Sequence, residues 1–289
     1  MKVAILGSGV SGSLVYRLLR EKGINVSLFG KKWETACTIR PCAWGVRRSV
    51  FLDLCDSTGL TGNEYILERH NSFRINGVKM PCDMITIDKP KLLRELNGGN
   101  YSYSATDLNQ YDQVIDATGI GRNGATRYCY QQMIVDKCDL SAQVRLLPHM
   151  TCSWAFPMGE SYHLGVFSNR IIPDRRPDSN TICECRSSFV VGMPKKLVVG
   201  NTWLVGESAG IIDPITGSGI LPAMISARIL VNNWGDPPGY EQEIFSKFGY
   251  MRHKIGAIFH NEFRGIPISI SGLLAGALLS TRKNNRLGA

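Results

Sequence analysis

The first thirty residues alternate between two hydrophobic spacings. The apolar run KVAIL over residues 2–6 predicts a short buried strand, and NVSLF over residues 25–29 predicts a second one. Between them, Val10, Leu14 and Leu18 recur at helical spacing up to a glycine, which is a common helix stop. A strand, a helix and a strand in this order form the βαβ unit of an α/β fold. We therefore predict an α/β chain with a doubly wound, Rossmann-type domain.

The residues between the first strand and the helix carry the glycine pattern of a dinucleotide-binding turn. The pattern G-x-G-x-x-G is weak alone, but it indicates such a site where it follows a strand and opens a helix. Gly7 allows the tight turn, Gly9 lets the backbone approach a pyrophosphate, and Gly12 packs the helix against the strand. The helix N-terminus then faces the phosphates with free N–H groups and a positive dipole end.

The end of the second strand departs from this pattern. An Asp or Glu is expected there to hold the adenosine ribose hydroxyls, and this chain has Gly30-Lys31-Lys32 instead. The two lysines could bind a 2′-phosphate, as in an NADP site. The alternative is that backbone groups and one lysine hold the adenosine.

Two later segments indicate which dinucleotide binds. Residues 111–122 predict a strand that ends in small residues, where Gly119 leaves room for a nucleotide; an ordinary strand end followed by a turn is the alternative. TWLVGESAG, residues 202–210, runs from a strand into Glu207, whose carboxylate can accept hydrogen bonds from ribityl or ribose hydroxyls. DPITGSGI, residues 213–220, then starts a second helix whose positive end can face the pyrimidine edge of an isoalloxazine. Together these segments predict FAD; a turn that only caps a core helix is the alternative for the last one.

The middle of the chain has the aromatic and β-branched content of strands. Four such runs predict a second, mostly antiparallel sheet, at residues 127–136, 140–149, 152–157 and 162–169. One face would cover the flavin, where Trp154, Phe156 and Pro157 either line an apolar substrate pocket or form ordinary sheet core. Further on, residues 240–259 predict a helix with one apolar stripe.

Charge and composition narrow the range of partners. The formal net charge of +9 favours anionic ligands, but the basic residues are scattered, which argues against nucleic acid. Nine cysteines without a Cys-x-x-Cys pair favour a reducing compartment and give no metal site. The longest apolar run, residues 265–280, is shorter than a spanning helix and is a core segment, a pocket lining or a lipid contact. We expect a cytoplasmic protein, with peripheral membrane association as an open alternative.

Four motifs resemble those of the geranylgeranyl reductase family of FAD-dependent oxidoreductases. They are RPCAWG at residues 40–45, IDKPKLL at residues 87–93, SWAFP at residues 153–157 and GESAGIIDPITGSGI at residues 206–220. In this resemblance Glu207 takes the position of an Asp and Lys89 that of an Arg, which keeps the charge and loses the bidentate fork. Cys152 replaces the Tyr of the substrate signature, and Gly30 falls where the family has its ribose-binding acid. The resemblance covers residues 1 to about 235.

The resemblance implies a set of cofactor-binding residues. The implied flavin contacts are Ser11, Cys42, Ala43, Gly45, Lys89, Ala105, Glu207, Gly219 and Ile220. The turns described above add Gly7, Gly9, Gly12, Gly119 and Gly217 to the predicted FAD site.

The resemblance also implies a discontinuous domain organisation. The FAD-binding domain, of glutathione-reductase type, would comprise residues 1–62, 86–122 and 200–235. Residues 63–85 and 123–199 would form the inserted, substrate-covering sheet, and residues 236–289 a C-terminal helical segment.

The activity that the resemblance implies is reduction of C=C bonds in an isoprenoid or geranylgeranyl lipid by hydride transfer from reduced FAD. Cys42 is a candidate proton donor or redox partner, and an inert small residue there is the alternative. The electron donor would be NAD(P)H or a ferredoxin. Two other hypotheses stay open, a flavin-dependent monooxygenase of the hydroxylase type and a non-catalytic relative that binds FAD or has lost it.

Overall fold

Two β-sheets and five α-helices make up the part of the chain that the computed structural model describes, which is residues 1–31, 42–103, 107–119, 125–135, 141–147, 151–172, 180–214 and 216–252. The strands are β1 Lys2–Leu6, β2 Asn25–Phe29, β3 Gly45–Arg47, β4 Ile66–Ile75, β5 Val78–Ile87, β6 Gln113–Asp116, β7 Ala125–Val135, β8 Gln143–Leu147, β9 Thr151–Pro157, β10 Ser161–Ser168, β11 Thr181–Val191, β12 Val198–Val199 and β13 Thr202–Leu204. The helices are α1 Val10–Glu21, α2 Arg48–Asp56, α3 Lys89–Asn97, α4 Ile220–Asn232 and α5 Pro237–Phe248.

The smaller sheet has five strands in the order β12-β13-β6-β1-β2. β1 pairs in parallel with β2 and β6, and β6 pairs in parallel with β13, whereas β12 is antiparallel to β13. Val3 and Ile5 of β1 point to one face and are fully buried with Leu14 of α1, while Ala4 is buried on the opposite face. α1 also packs against α3 and α4. The predicted Rossmann-type fold and its first βαβ unit are confirmed.

The larger sheet has eight strands in the order β11-β7-β10-β9-β8-β4-β5-β3. Its pairs are antiparallel except that of β4 with β8. The four strands predicted for the middle of the chain are present as β7 to β10, so the predicted second sheet is confirmed. β11 was not predicted, because its buried positions include Cys183 and Cys185, and the positions between and after them include the polar residues Glu184 and Arg186. The predicted division into domains stays a prediction.

The helix α5 is shorter than predicted. It begins after Asp236, whose side chain accepts a hydrogen bond from a backbone N–H of the first turn at 3.2 Å. It ends at Phe248, and a 3₁₀ turn follows. Residues 253–259 of the predicted helix lie outside the described residues. Tyr240, Ile244 and Phe248 form its buried stripe.

Among the described residues, no helix combines the length and the apolar character that crossing a membrane requires. The apolar run at residues 265–280 lies outside that part of the chain.

Tyr240 joins α5 to the smaller sheet. Its side chain is fully buried, and its hydroxyl donates a hydrogen bond to the Leu204 carbonyl at the end of β13 over 2.5 Å. Burial, with a contribution from the charge of Glu241, raises the pKa of Tyr240, so the hydroxyl stays a donor. Because both groups are away from water, each depends on the other for its hydrogen bond.

We expect Tyr240→Phe to lower the free energy of unfolding by about 1–2 kcal/mol, because the Leu204 carbonyl would stay buried without a donor. Urea unfolding followed by circular dichroism measures this value. Tyr128→Phe, at a 36% exposed tyrosine of β7, is the matched control and should change stability by less than about 0.5 kcal/mol. Equal effects of the two substitutions would contradict the anchoring role of Tyr240.

Candidate functional site

A cavity of about 760 Å³ lies where the two sheets meet. This volume is within the range of small-molecule sites. One side is formed by the turns after the parallel strands β1, β6 and β13, together with the starts of α3 and α4. The other side is a face of the larger sheet. The cavity therefore opens at the carboxyl ends of parallel strands, where α/β folds bind their ligands.

The turn after β1 has no room for side chains on its protein side. Gly7 has a φ of +112°, and a Cβ there would overlap the Ala117 carbonyl oxygen. A Cβ on Gly12 would overlap the Gly7 carbonyl oxygen. Gly9 differs, because it lines the cavity and a Cβ there would have no atom within 4 Å. Packing thus requires Gly7 and Gly12, whereas Gly9 keeps space open for a ligand.

A hydrogen-bond network ties the turn after β6 to the turn after β13. Asp116 Oδ1 accepts hydrogen bonds from the Thr118 hydroxyl at 2.7 Å and from the Ser208 hydroxyl at 3.0 Å. Ser208 Oγ in turn accepts a hydrogen bond from the Gly119 N–H at 2.9 Å. The network holds Gly119 and Glu207, which line the cavity, at adjacent positions on its rim.

Of the helices that begin at the cavity, α1 and α4 lack side-chain caps. α1 begins after Gly9 and α4 after Gly219, and a glycine has no side chain to accept a hydrogen bond. The starts of α3 and α5 are capped instead by the carboxylates of Asp88 and Asp236. The free N–H groups and positive dipole ends of α1 and α4 are therefore left for a ligand in the cavity.

Positive charge prevails around the cavity. The charged residues in its described lining are Lys31, Lys89, Arg94 and Glu207. Lys89, the first residue of α3, is only 9% exposed, and it has neither an ion pair nor a hydrogen bond in the part of the chain that the structure describes. A buried ammonium without a partner is costly, so an anionic ligand would relieve this cost.

The larger sheet presents an apolar face to the cavity. The residues on this face alternate along the strands, and they are Phe73, Ile75, Met84, Cys129, Val144, Leu146, Cys152, Trp154, Phe156, Phe167 and Phe189. The strand register places Cys129, Phe167 and Cys152 side by side across β7, β10 and β9. Gly165 makes space for the Trp154 indole, because a Cβ there would overlap that ring. Such a wall binds apolar groups.

Trp44 and His163 form a buried pair beside the cavity. The Trp44 ring meets the His163 ring edge-on, with centroids 4.5 Å apart. Trp44 has a φ of +61°, a conformation that a bulky residue keeps only where its surroundings enforce it. Burial, assisted by the charge of Lys89, lowers the pKa of His163 to about 4. His163 is therefore neutral at pH 7.

Comparison with known proteins connects this cavity to a family. No protein-family model matches the chain. Two digeranylgeranylglycerophospholipid reductases do match, and the one from Methanothrix thermoacetophila is 25% identical over 78% of this chain and 75% of its own length.

Solved structures show the same fold. A geranylgeranyl bacteriochlorophyll reductase-like protein from Thermoplasma acidophilum aligns with a TM-score of 0.69 and 16% identity, and the alignment covers 95% of each chain. The chain is similar to geranylgeranyl reductases in sequence and in fold. The resemblance predicted from the four motifs is thus confirmed, and with it the class of FAD-dependent oxidoreductase. A probable FAD-dependent monooxygenase from Pseudomonas aeruginosa also shares the fold, with a TM-score of 0.63 and 12% identity over 87% of this chain and 93% of its own.

The chain brings most of its predicted site residues to this cavity. The predicted residues that line it are Gly7, Gly9, Ser11, Cys42, Ala43, Gly45, Lys89, Gly119, Trp154, Phe156, Glu207, Gly217, Gly219 and Ile220. Gly12 lies behind the glycine turn, and Pro157 ends β9 away from the lining. Ala105 lies outside the described residues. Direct contact of these residues with a cofactor or substrate stays a prediction.

Several lining residues of the cavity were not singled out from the sequence. They include Trp44, Tyr101, Arg94 and the apolar residues of β4 and β5. A signal for the last group exists, because Asn76 and Gly77 both have positive φ in the turn between those strands. An Asn-Gly pair between alternating apolar residues predicts a hairpin of this kind.

We expect the protein to lose stability as the pH falls from about 6.5 to about 4. The unfolded chain, with its His163 pKa at the ordinary 6.5, binds a proton in this window that the folded protein does not bind until about pH 4. The loss due to this residue should reach about 3 kcal/mol below that window. Unfolding free energies between pH 4 and 8 for the wild type and for His163→Phe, which keeps a ring against Trp44, measure it. If the unfolding free energies of the two proteins changed with pH in the same way, the lowered pKa of His163 would be contradicted.

Proposed function

We propose that the protein is an FAD-dependent reductase that saturates C=C bonds of an isoprenoid lipid. The observation that carries this proposal is the division of one cavity into a cationic side with free helix N-termini and an apolar side built from a sheet. The first side suits the phosphates and polar groups of a dinucleotide, and the second suits an isoprenoid chain. The names of the reductases that match the chain agree with this substrate class.

Each group on the polar side of the cavity can hold a different part of FAD. The turn that includes Gly9 and the start of α1 can hold the pyrophosphate, and Lys89 adds a buried cation for it. Glu207 can accept hydrogen bonds from the ribityl or ribose hydroxyls at the rim. The start of α4, after Gly219, can face the pyrimidine edge of the ring system.

Reduced FAD would supply a hydride equivalent for one carbon of the alkene. The task of the protein is to align the substrate and exclude water. The wall around Trp154 and Phe156 buries an apolar chain and keeps bulk water from the reacting carbon. The positive end of α4 stabilises negative charge at the edge that it faces. Cys42, half-buried in the lining, is the candidate to deliver a proton to the second carbon.

This activity would require two partners, a membrane that holds the lipid substrate and an electron donor. A lipid substrate would bring the protein to a membrane surface, at least transiently. An external donor, NAD(P)H or a ferredoxin, would reduce the bound cofactor.

We expect the protein to bind FAD and Gly9→Ala to weaken that binding at least about tenfold. The added methyl group meets no protein atom within 4 Å, so the fold tolerates it, but it enters space that the pyrophosphate needs. Gly249→Ala is the matched control, because a Cβ there also meets nothing within 4 Å, its φ of −56° is ordinary and the residue does not line the cavity. Isothermal titration calorimetry compares the variants. Equal affinities would contradict the pyrophosphate position, and a wild type that binds no FAD would contradict the proposed function.

We expect the FAD-loaded protein, reduced anaerobically with dithionite, to add hydrogen pairs to unsaturated isoprenoid lipids. Mass spectrometry of lipids with geranylgeranyl chains detects one added pair for each double bond that is saturated. The absence of any gain across a broad lipid panel would contradict the reductase. Rapid reaction of the reduced protein with oxygen, made faster by substrate, would instead favour the monooxygenase hypothesis.

A further inference from the structure

The residue that ends the first βαβ unit has no room for a side chain. A Cβ on Gly30 would overlap the Ser8 hydroxyl and would lie 2.7 Å from Cδ2 of Tyr101. The φ of Gly30 is not in the left-handed region, so its neighbours alone exclude a side chain. An acid at this position holds the adenosine ribose in other dinucleotide-binding folds. In this protein such an acid would collide with Tyr101.

The position of Tyr101 is fixed by backbone pairing. Ser102 forms a parallel bridge with Phe29, the last residue of β2. The Gly30 N–H donates a hydrogen bond to the Ser102 carbonyl at 2.8 Å. These contacts hold the backbone of Tyr101 next to Gly30, and the side chain of Tyr101 lines the cavity.

The phenol can perform the task of the missing carboxylate. A carboxylate accepts hydrogen bonds from ribose hydroxyls, and the oxygen of a phenol can accept one as well. Interaction with the neighbouring Tyr103 phenol, followed by burial, raises the pKa of Tyr101, so its hydroxyl keeps the proton at neutral pH. Lys31 lines the cavity next to this position, whereas Glu207 follows β13, which two strands separate from β2.

We propose that Tyr101 replaces the ribose-binding acid and holds the adenosine end of the bound dinucleotide. The inference rests on the proposed function, because its ligand is the ADP half of FAD. A neutral phenol adds no negative charge near the phosphates, so the attraction of Lys31 and Lys89 for them is not offset.

The test compares two halves of the cofactor as separate probes. Calorimetry measures the affinities of ADP, FMN and FAD for the wild type and for Tyr101→Phe, which keeps the ring and removes only the hydroxyl. We expect the variant to bind ADP and FAD about fivefold to tenfold more weakly and FMN as tightly as the wild type. Tyr128→Phe, on the larger sheet and outside the cavity lining, is the matched control and should change none of the three.

A second pair of variants tests the exchange of phenol for acid directly. Gly30→Glu in the wild-type background should weaken ADP binding, because Tyr101 fills the space. The same substitution in a Ser8→Gly/Tyr101→Ala background should strengthen ADP binding relative to that background alone, because the Oγ and Cβ of Ser8 and the ring of Tyr101, the atoms nearest to the added Cβ, are then gone.

The outcomes separate this inference from the proposed function. Three results would each overturn the role of Tyr101. The first is an unchanged ADP affinity in Tyr101→Phe, and the second is a loss of FMN affinity equal to the loss of ADP affinity. The third is that Gly30→Glu changes the ADP affinity in the same direction in both backgrounds. In all three cases FAD binding by the wild type would leave the proposed function standing. A wild type that binds neither FAD nor ADP would overturn both.

Discussion

The close approach of backbone segments at the carboxyl edge of the parallel sheet determines the rest of the structure. A Cβ on Gly7 would overlap the Ala117 carbonyl oxygen, and a Cβ on Gly12 would overlap the Gly7 carbonyl oxygen. A Cβ on Gly206 would likewise come within 2.6 Å of the Ser11 hydroxyl. With larger residues, α1 could not dock on β1 and β6, and its free N-terminus would move away from the cavity. The uncapped helix ends and the rim around Glu207 all depend on this docking.

Given that docking, the second sheet decides what kind of molecule can share the cavity. The strand register of this sheet puts its alternate apolar residues on one face. That face lies across the cavity from the turns that carry the positive charges. Gly165 lets the Trp154 ring lie against the sheet. Lys89 is buried between these two environments without a partner among the described residues, a cost that a bound anion removes. The strained backbone of Trp44 and the neutral ring of His163 lie in the same region, beside the segment of Cys42.

Local patterns in the sequence were sufficient to predict the βαβ unit, the second sheet and most of the turns that line the cavity. Each of these depends on residues close together in the chain, such as Gly7 to Gly12 or the block around Glu207. Two of the missed residues, Tyr101 and Trp44, depend instead on contacts between distant segments. Tyr101 reaches the cavity because Ser102 pairs with Phe29, and Trp44 is held by packing against His163. The reason for Gly30 is of the same kind, since only the folded chain shows that Tyr101 fills the space of the expected acid.

The central claim is that the free starts of α1 and α4 face a single FAD molecule from two sides. A crystal structure of the protein with FAD tests this most directly. The account predicts continuous density from the turn at Gly9, where the pyrophosphate would lie, to the start of α4 at Gly219, where the flavin ring would lie. Density that leaves either helix start without a ligand, or an FAD molecule bound elsewhere, would contradict it.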